Sequence, residues 1–261
     1  LEVHDLAYNG QELGTLKLQG GIGRNQLTVR DSFLLTPAGQ IHLTGVIDWQ
    51  DRPYYFLTAD GEDLLFEDLA SLLPEELPVA LAGLADFRLK VQGWEKPLFS
   101  GDIKGAGITL NQYYIGDGAI AFRWEEGYLH LDGLSLGSTA MQLEGKGKIS
   151  ASRELDLDVA VEDFPLEALP RLGGEYLKKQ PVLKKIAGKL TGRGKIKGSL
   201  AEPVFVGQLS INEPVIAGFA LDRIAGALSW EDRILSFDEM LVNRGEEELT
   251  VYGRIDWTGT E

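Results

Sequence analysis

Three aspartates, Asp31, Asp132 and Asp238, recur at nearly the same place along the chain. Paired carboxylates are the groups that cleave glycosides, one as acid and one as base or nucleophile. One copy per repeat, however, is the distribution of a strand end or a turn and not of a single catalytic pair. His4, His42 and His130 stand beside acidic or strand-forming neighbours, and none sits with Ser in a nucleophile motif, so a triad is unsupported. Glycine-rich runs at 20–25 (GGIGRN), 145–148 (GKGK) and 192–198 (GRGKIKG) could in principle cradle a phosphate. None has the residue order of a phosphate loop or opens a helix, so they read as glycines within strands. The acidic runs 156–158 (DLD) and 246–248 (EEE) lack the ligand order of a calcium loop, and read as a solvated strand face and a turn. With no Cys there is neither a disulfide framework nor a thiolate metal site. The expectation is a non-enzymatic chain with no catalytic residues, no metal and no cofactor.

Composition narrows the partners. The chain has 261 residues, 44% of them hydrophobic, enough for a sizeable apolar interior. Its 25 Lys and Arg against 40 Asp and Glu leave a formal charge of -15, which repels nucleic acid and anionic lipid headgroups alike. No apolar run approaches the roughly 20 residues of a membrane-spanning helix, and the opening LEVHDLAYNG has no signal-type basic and apolar regions. Because the sequence begins and stops within strand-like residues, it reads as a segment of something longer.

Period-two alternation dominates. It runs through 26–31, 40–49, 87–93, 119–124, 154–163, 189–198 and 248–257, and successive strand residues point to opposite faces, so these are strands with one apolar and one wet side. Turn clusters such as NG at 9–10 and GDG at 116–118 predict antiparallel hairpins. Helical spacing appears in two places only, DLLFEDLASLL at 63–73 and PLEALPRLGGEYLKKQPVLKKIAG at 165–188. In the second, Pro170, Gly173, Gly174 and Pro181 cut the helix into short pieces.

The phrases IHLTGVIDW at 41–49 and LTVYGRIDW at 249–257 belong to a larger repeat. Leu27, Leu129 and Leu235 each open a strand, and Gly45, Gly147 and Gly253 each come 18 residues later. A second correspondence links 83–101 with 188–207: Gly83 to Gly93 and Gly188 to Gly198 span equal lengths, as do Pro97 to Gly101 and Pro203 to Gly207. The repeats divide the chain into 1–82, 83–187 and 188–261, the first and last incomplete.

Roughly fifteen strands of ordinary length, each apolar on one side, need a covering layer that two short helices cannot supply. The sheet must either close on itself as a sandwich or curl into a trough whose oily side is left for an apolar ligand. On the second reading the lining is read off the repeat. It comprises Leu27, Val29, Ile41, Leu43 and Ile47, then Leu129, Leu131, Met141, Leu143 and Ile149, with Leu155, Leu157 and Val159 beside them, and finally Leu235, Phe237, Leu249, Val251 and Ile255. Trp49, Trp94, Trp124, Trp230 and Trp257 read as core or rim residues.

The pattern G-x-[L/I]-x-G-x-x-x-x-P-x-x-x-G-x-[L/I], present as KVQGWEKPLFSGDI and KIKGSLAEPVFVGQL, resembles the repeats of the AsmA-like family, in particular its translocation and assembly module branch. The VEDFPLEALPRL stretch is similar to that family's strand-to-helix step. The resemblance implies an all-β fold: an elongated, curved antiparallel sheet with an apolar inside, lying in the periplasm and anchored to the inner membrane through a segment beyond this sequence. It implies carriage of phospholipid or another acyl-chain lipid between inner and outer membranes. The alternative it leaves is a non-enzymatic scaffold for outer-membrane protein assembly. Either role would engage an Omp85-type assembly protein through regions absent here, and neither involves nucleic acid. A carbohydrate-active β-helix using Asp132 or Asp238 is the remaining reading.

Overall fold

The computed structural model describes residues 1–8, 11–50, 53–71, 80–172 and 186–256. Among them are eighteen β-strands and only two short α-helices, α1 at Phe66–Ser71 and α2 at Leu169–Leu172. The fold is all-β and antiparallel, as the alternation predicts. It divides into two compact units, Leu1–Asp132 and Gly133–Glu261.

The first unit is a meander. Strands β1 (Glu2–Tyr8), β2 (Gln11–Lys17), β3 (Gly20–Ile22), β4 (Gln26–Thr36), β5 (Gly39–Asp48), β6 (Tyr54–Leu65), β7 (Leu81–Gly93), β8 (Leu98–Leu110) and β9 (Tyr113–Glu125) run in order. Each of β4 to β8 pairs with the next strand in the chain. The tenth strand, β10 (Tyr128–Gly137), carries the division between the units. In the second unit β11 (Gln142–Ser150), β12 (Glu154–Pro165), β13 (Ile186–Ser199) and β14 (Pro203–Ile216) pair in sequence. The two-residue β15 (Phe219–Ala220) is a side branch, and β14 passes on to β16 (Arg223–Glu231), β17 (Ile234–Arg244) and β18 (Glu247–Asp256).

The repeat seen in the sequence is structural. Leu27, Leu129 and Leu235 are each the second residue of their strands β4, β10 and β17, and Gly45, Gly147 and Gly253 lie in the next strands, β5, β11 and β18. Val29 faces Gly45, and Phe237 faces Gly253, in the same register. Gly83 and Gly188 both occupy positive φ, 131° and 127°, at register shifts in β7 and β13. That backbone conformation is open to Gly and strained for other residues, which explains the matched spacing of the second repeat.

Several expectations need correction. GDG at 116–118 is not a hairpin turn but lies inside β9; the turn is made by Asn111 and Gln112, both at positive φ. The helix expected over 63–73 shortens to α1, because 63–65 complete β6. In the second helical segment Leu166–Ala168 form a 3-10 turn, Leu169–Leu172 form α2, and 186–188 already belong to β13. Residues 72–73 and 173–185 of these segments, the NG at 9–10, and Trp257 lie outside the described residues. Asp31, Asp132 and Asp238 are not at strand ends or turns: each is interior to its strand.

The reason for two of those aspartates is a recurring β-bulge. Two residues on one strand oppose a single residue on the next, and the second of the two has positive φ. The pairs are His4–Asp5 opposite Thr15, Arg30–Asp31 opposite Thr44, Glu62–Asp63 opposite Asp86, Ala106–Gly107 opposite Asp117, Glu162–Asp163 opposite Thr191, and Asp238–Glu239 opposite Tyr252. The extra N–H cannot enter the ladder, and at three sites the lone opposing side chain accepts it. Asp63 N–H donates to Asp86 Oδ1 at 2.9 Å, Gly107 N–H to Asp117 Oδ1 at 3.0 Å, and Asp163 N–H to Thr191 Oγ1 at 3.2 Å. Bulges bend a strand and increase its twist, so each unit's sheet is bent at defined points.

Candidate functional site

Side chains directly opposite one another on antiparallel strands share a face, so the pairing register sorts every residue. In the second unit one continuous row crosses seven strands: Gly147, Leu157, Ile196, Phe205, Trp230, Leu235 and Ile255. Beside it on the same face lie Ile149 opposite Leu155, Val159 opposite Gly145 and Gly194, Leu143 opposite Val161, Phe237 opposite Leu228 and Gly253, Val251 opposite Met240, and Leu249 opposite Val242. Met141, just ahead of β11, is buried. In the first unit Leu27 faces Ile47, which faces Tyr55; Ile41 faces Leu34 and Gly61; Leu43 faces Ala59. The row continues from Val29 through Gly45, Leu57, Val91 and Phe99 to Trp124. Leu129 and Leu131 are half-buried in β10. Within each unit, then, the residues read from the repeat in strands with described pairings fall on one apolar face.

The glycines inside these strands have a steric role on that face. A Cβ at Gly61 would come within 2.7 Å of the Phe87 ring, one at Gly101 within 3.0 Å of Phe122, and ones at Gly194 and Gly207 within 2.6 Å of Phe205. Each glycine is the floor on which a neighbouring ring lies, which keeps the face continuous where a side chain is missing. Its one buried polar side chain among the described residues is Ser32, opposite Leu43. Its Oγ accepts from Gln19 N–H at 2.9 Å and donates to the Gln19 carbonyl at 3.0 Å, so no unmet polar group interrupts the apolar surface.

Cover over the face is uneven. Leu64, Ala85, Ile108 and Ile115 are buried at one end of the first unit, where α1 packs on β6 and β7. Phe164, Leu166 and Ala168 are buried where the 3-10 turn packs on β13. Away from those ends most lining residues are half-buried, and Leu249 and Ile255 are exposed. This partial cover is what an open face has, since a second sheet would hide it.

The opposite face is polar and carries ladders of alternating charge. Asp158 lies between Lys146 and Lys195, and Asp156 between Lys148 and Lys197. The Lys195 Nζ to Asp158 Oδ1 distance is 2.6 Å. The hydrogen bond from Lys195 lowers the Asp158 carboxyl below its ordinary value, and that from Asp158 raises the Lys195 ammonium. Arg88 pairs with Asp60 in the first unit, and its hydrogen bond to that carboxylate raises the guanidinium further. Tyr252 has its phenol raised, mainly by desolvation and then by the nearby Glu239 carboxylate, to which its hydroxyl donates at 3.3 Å. Asp156 and Asp158 of the DLD run are thus the middle of an ion ladder on a solvated face, while Leu157 between them belongs to the apolar row.

That polar face also holds a hollow of about 750 Å³ in the second unit, which sequence reasoning missed. Glu144, Glu162, Arg193, Gln208 and Ser210 line it over a floor of Ala160, Ala225 and Ala227. Small residues at wet-face positions were the available signal. Of the histidines, His42 stacks edge-on against Phe33 at 4.9 Å, His130 packs by Tyr128, and His4 lies 3.8 Å from Glu2. Among the described residues no three acidic or histidine side chains gather as a metal site, and no helix is long and apolar enough to cross a membrane.

No family model, curated protein or solved structure matches this chain. The geometry of its own two faces therefore carries the functional reading.

Proposed function

We propose that the chain is a periplasmic segment of a bridge-like lipid transport protein of the AsmA-like, TamB type, whose apolar face holds phospholipid acyl chains. The observation that carries this reading is the unbroken apolar row across seven strands of the second unit, only half-covered and free of unmet polar groups. Each methylene moved from water onto such a surface gains up to about 0.8 kcal/mol. The attraction is non-directional, so a chain is held without being fixed at one position and slides along the row. No bond is made or broken. The partners on this reading are phospholipid and, through regions beyond this sequence, an Omp85-type outer-membrane protein.

Leu143→Asp tests it, with Glu144→Lys on the polar face as control. Leu143 is half-buried, so the variant keeps its fold in a thermal melt while native mass spectrometry shows the loss of retained phospholipid. Glu144→Lys retains it. Wild-type protein that carries no lipid and ignores fluorescent fatty acids would sink the proposal.

A further inference from the structure

A second hollow, of about 570 Å³, lies in the first unit off the strand ends, between the turn that joins β7 to β8 and the one that joins β9 to β10. Its size suits a small ligand. Lys96, Pro97, Trp124, Glu125 and Glu126 line it. Trp124 carries in β9 the row that starts at Val29, so the hollow adjoins the apolar face at the turn from β9 to β10. It therefore has an aromatic wall, one ammonium and two carboxylates. Lys96 pairs with no carboxylate among the described residues. Arg123 pairs with Glu125 at 4.0 Å and more closely with Asp132, at 3.6 Å, so it is shared between two carboxylates, and Glu126 has no cation partner among the described residues. In the same β7–β8 turn, Trp94 is 53% exposed and meets Tyr55 at a tilt, with ring centroids 6.2 Å apart.

Resting on the lipid reading above, we infer that this hollow holds a zwitterionic headgroup of the phosphoethanolamine kind, attached to a lipid whose acyl chains lie on the adjoining face. Each part of that headgroup meets its complement. The phosphate meets Lys96, the primary ammonium meets Glu125 and Glu126, and the Trp124 ring adds the attraction of an aromatic face for a cation. An anionic glycerol headgroup offers no ammonium to the two carboxylates, and the overall charge of -15 opposes it as well.

The test is competitive retention from vesicles of equal phosphatidylethanolamine and phosphatidylglycerol content, read by native mass spectrometry on the whole chain. Wild type should retain the ethanolamine lipid about fivefold over the glycerol lipid, the factor a single exposed cation–aromatic contact supplies. Glu125→Lys/Glu126→Lys, which alters exposed residues only, should reverse the preference with total lipid unchanged, and Trp124→Leu should flatten it. Lipid retained without preference, or a preference that survives the charge swap, overturns the headgroup site and leaves the apolar-face reading standing. If no lipid is retained, glycerophosphoethanolamine, which has no acyl chains, decides: amide shifts confined to 95–98 and 124–127 keep the hollow as a site for the free headgroup, and their absence removes it too.

Discussion

Leu64 and Phe99 lie on the same apolar face of the same unit, yet Leu64 is 1% exposed and Phe99 41%. The difference comes from the chain immediately around each residue. Beyond the Glu62–Asp63 bulge the strand bends and runs into α1, and Phe66 of that helix lies over Gly105, where a Cβ would come within 2.9 Å of its ring. Leu64 is thus enclosed by its own neighbourhood. Phe99 comes just after a short turn with no helix to fold back over it, and its neighbour in the row, Trp124, is at the strand end. A single bent sheet can therefore hold a dry core and an open apolar surface on one face, separated by a few residues of strand.

Substitution should separate the two ends most sharply. Leu64→Ser should cost about 3 kcal/mol or more through lost packing and a buried hydroxyl, whereas Phe99→Ser should cost about 1 kcal/mol. Urea unfolding of the two variants measures the gap, and equal losses would mean that the Phe99 end is also a closed core. Between the ends, Gly61→Ala pushes a methyl into Leu64 and the Phe87 ring, 2.6 and 2.7 Å away, and should cost about 1–3 kcal/mol by overpacking. Asp117→Ala removes the acceptor of the Gly107 N–H at the bulge of β8, and the loss should be about 1 kcal/mol because that N–H can turn to water. The smallest effect belongs to the polar face. Asp158 has a lowered carboxyl value when folded, so its contribution is present above the ordinary value of 3.8 and is lost as pH falls through the depressed one. Because the pair is solvent-exposed, the change in melting temperature on acidification should be slight, absent in Asp158→Asn and screened by salt.

Much of this was legible in the chain. Alternation places Leu143, Leu157 and Phe237 on one side, because period two is a direct consequence of strand geometry. The matched spacing of Gly83 and Gly188 reflects a backbone requirement at a single residue, and such requirements leave a mark in sequence. The bulges left a weaker one. Glu62–Asp63 and Glu162–Asp163 look like ordinary acidic pairs on a wet strand, since acidic residues adopt positive φ only occasionally. What makes them bulges is Asp86 or Thr191 on the next strand, about thirty residues away or fewer. GDG at 116–118 misled for the same reason, as Asp117 serves a partner across the ladder and not a turn. The polar hollow depends on Ala160, Ala225 and Ala227 from strands brought side by side, a juxtaposition that no local window contains.

The capped bulges also answer a hazard built into repetition. Neighbouring strands of similar composition can pair one residue out of step, and such a slip turns a whole apolar set onto the wet side. A slipped β6–β7 pair would set the extra N–H of Asp63 against Phe87 or Ala85, neither of which has a side-chain acceptor to give it, and would move Asp86 away from the one donor it fits. The same holds for Asp117 and Thr191 in their own hairpins. Each bulge is a key cut for one position of its lock, so a sequence that repeats itself can still assemble with its oily side facing one way.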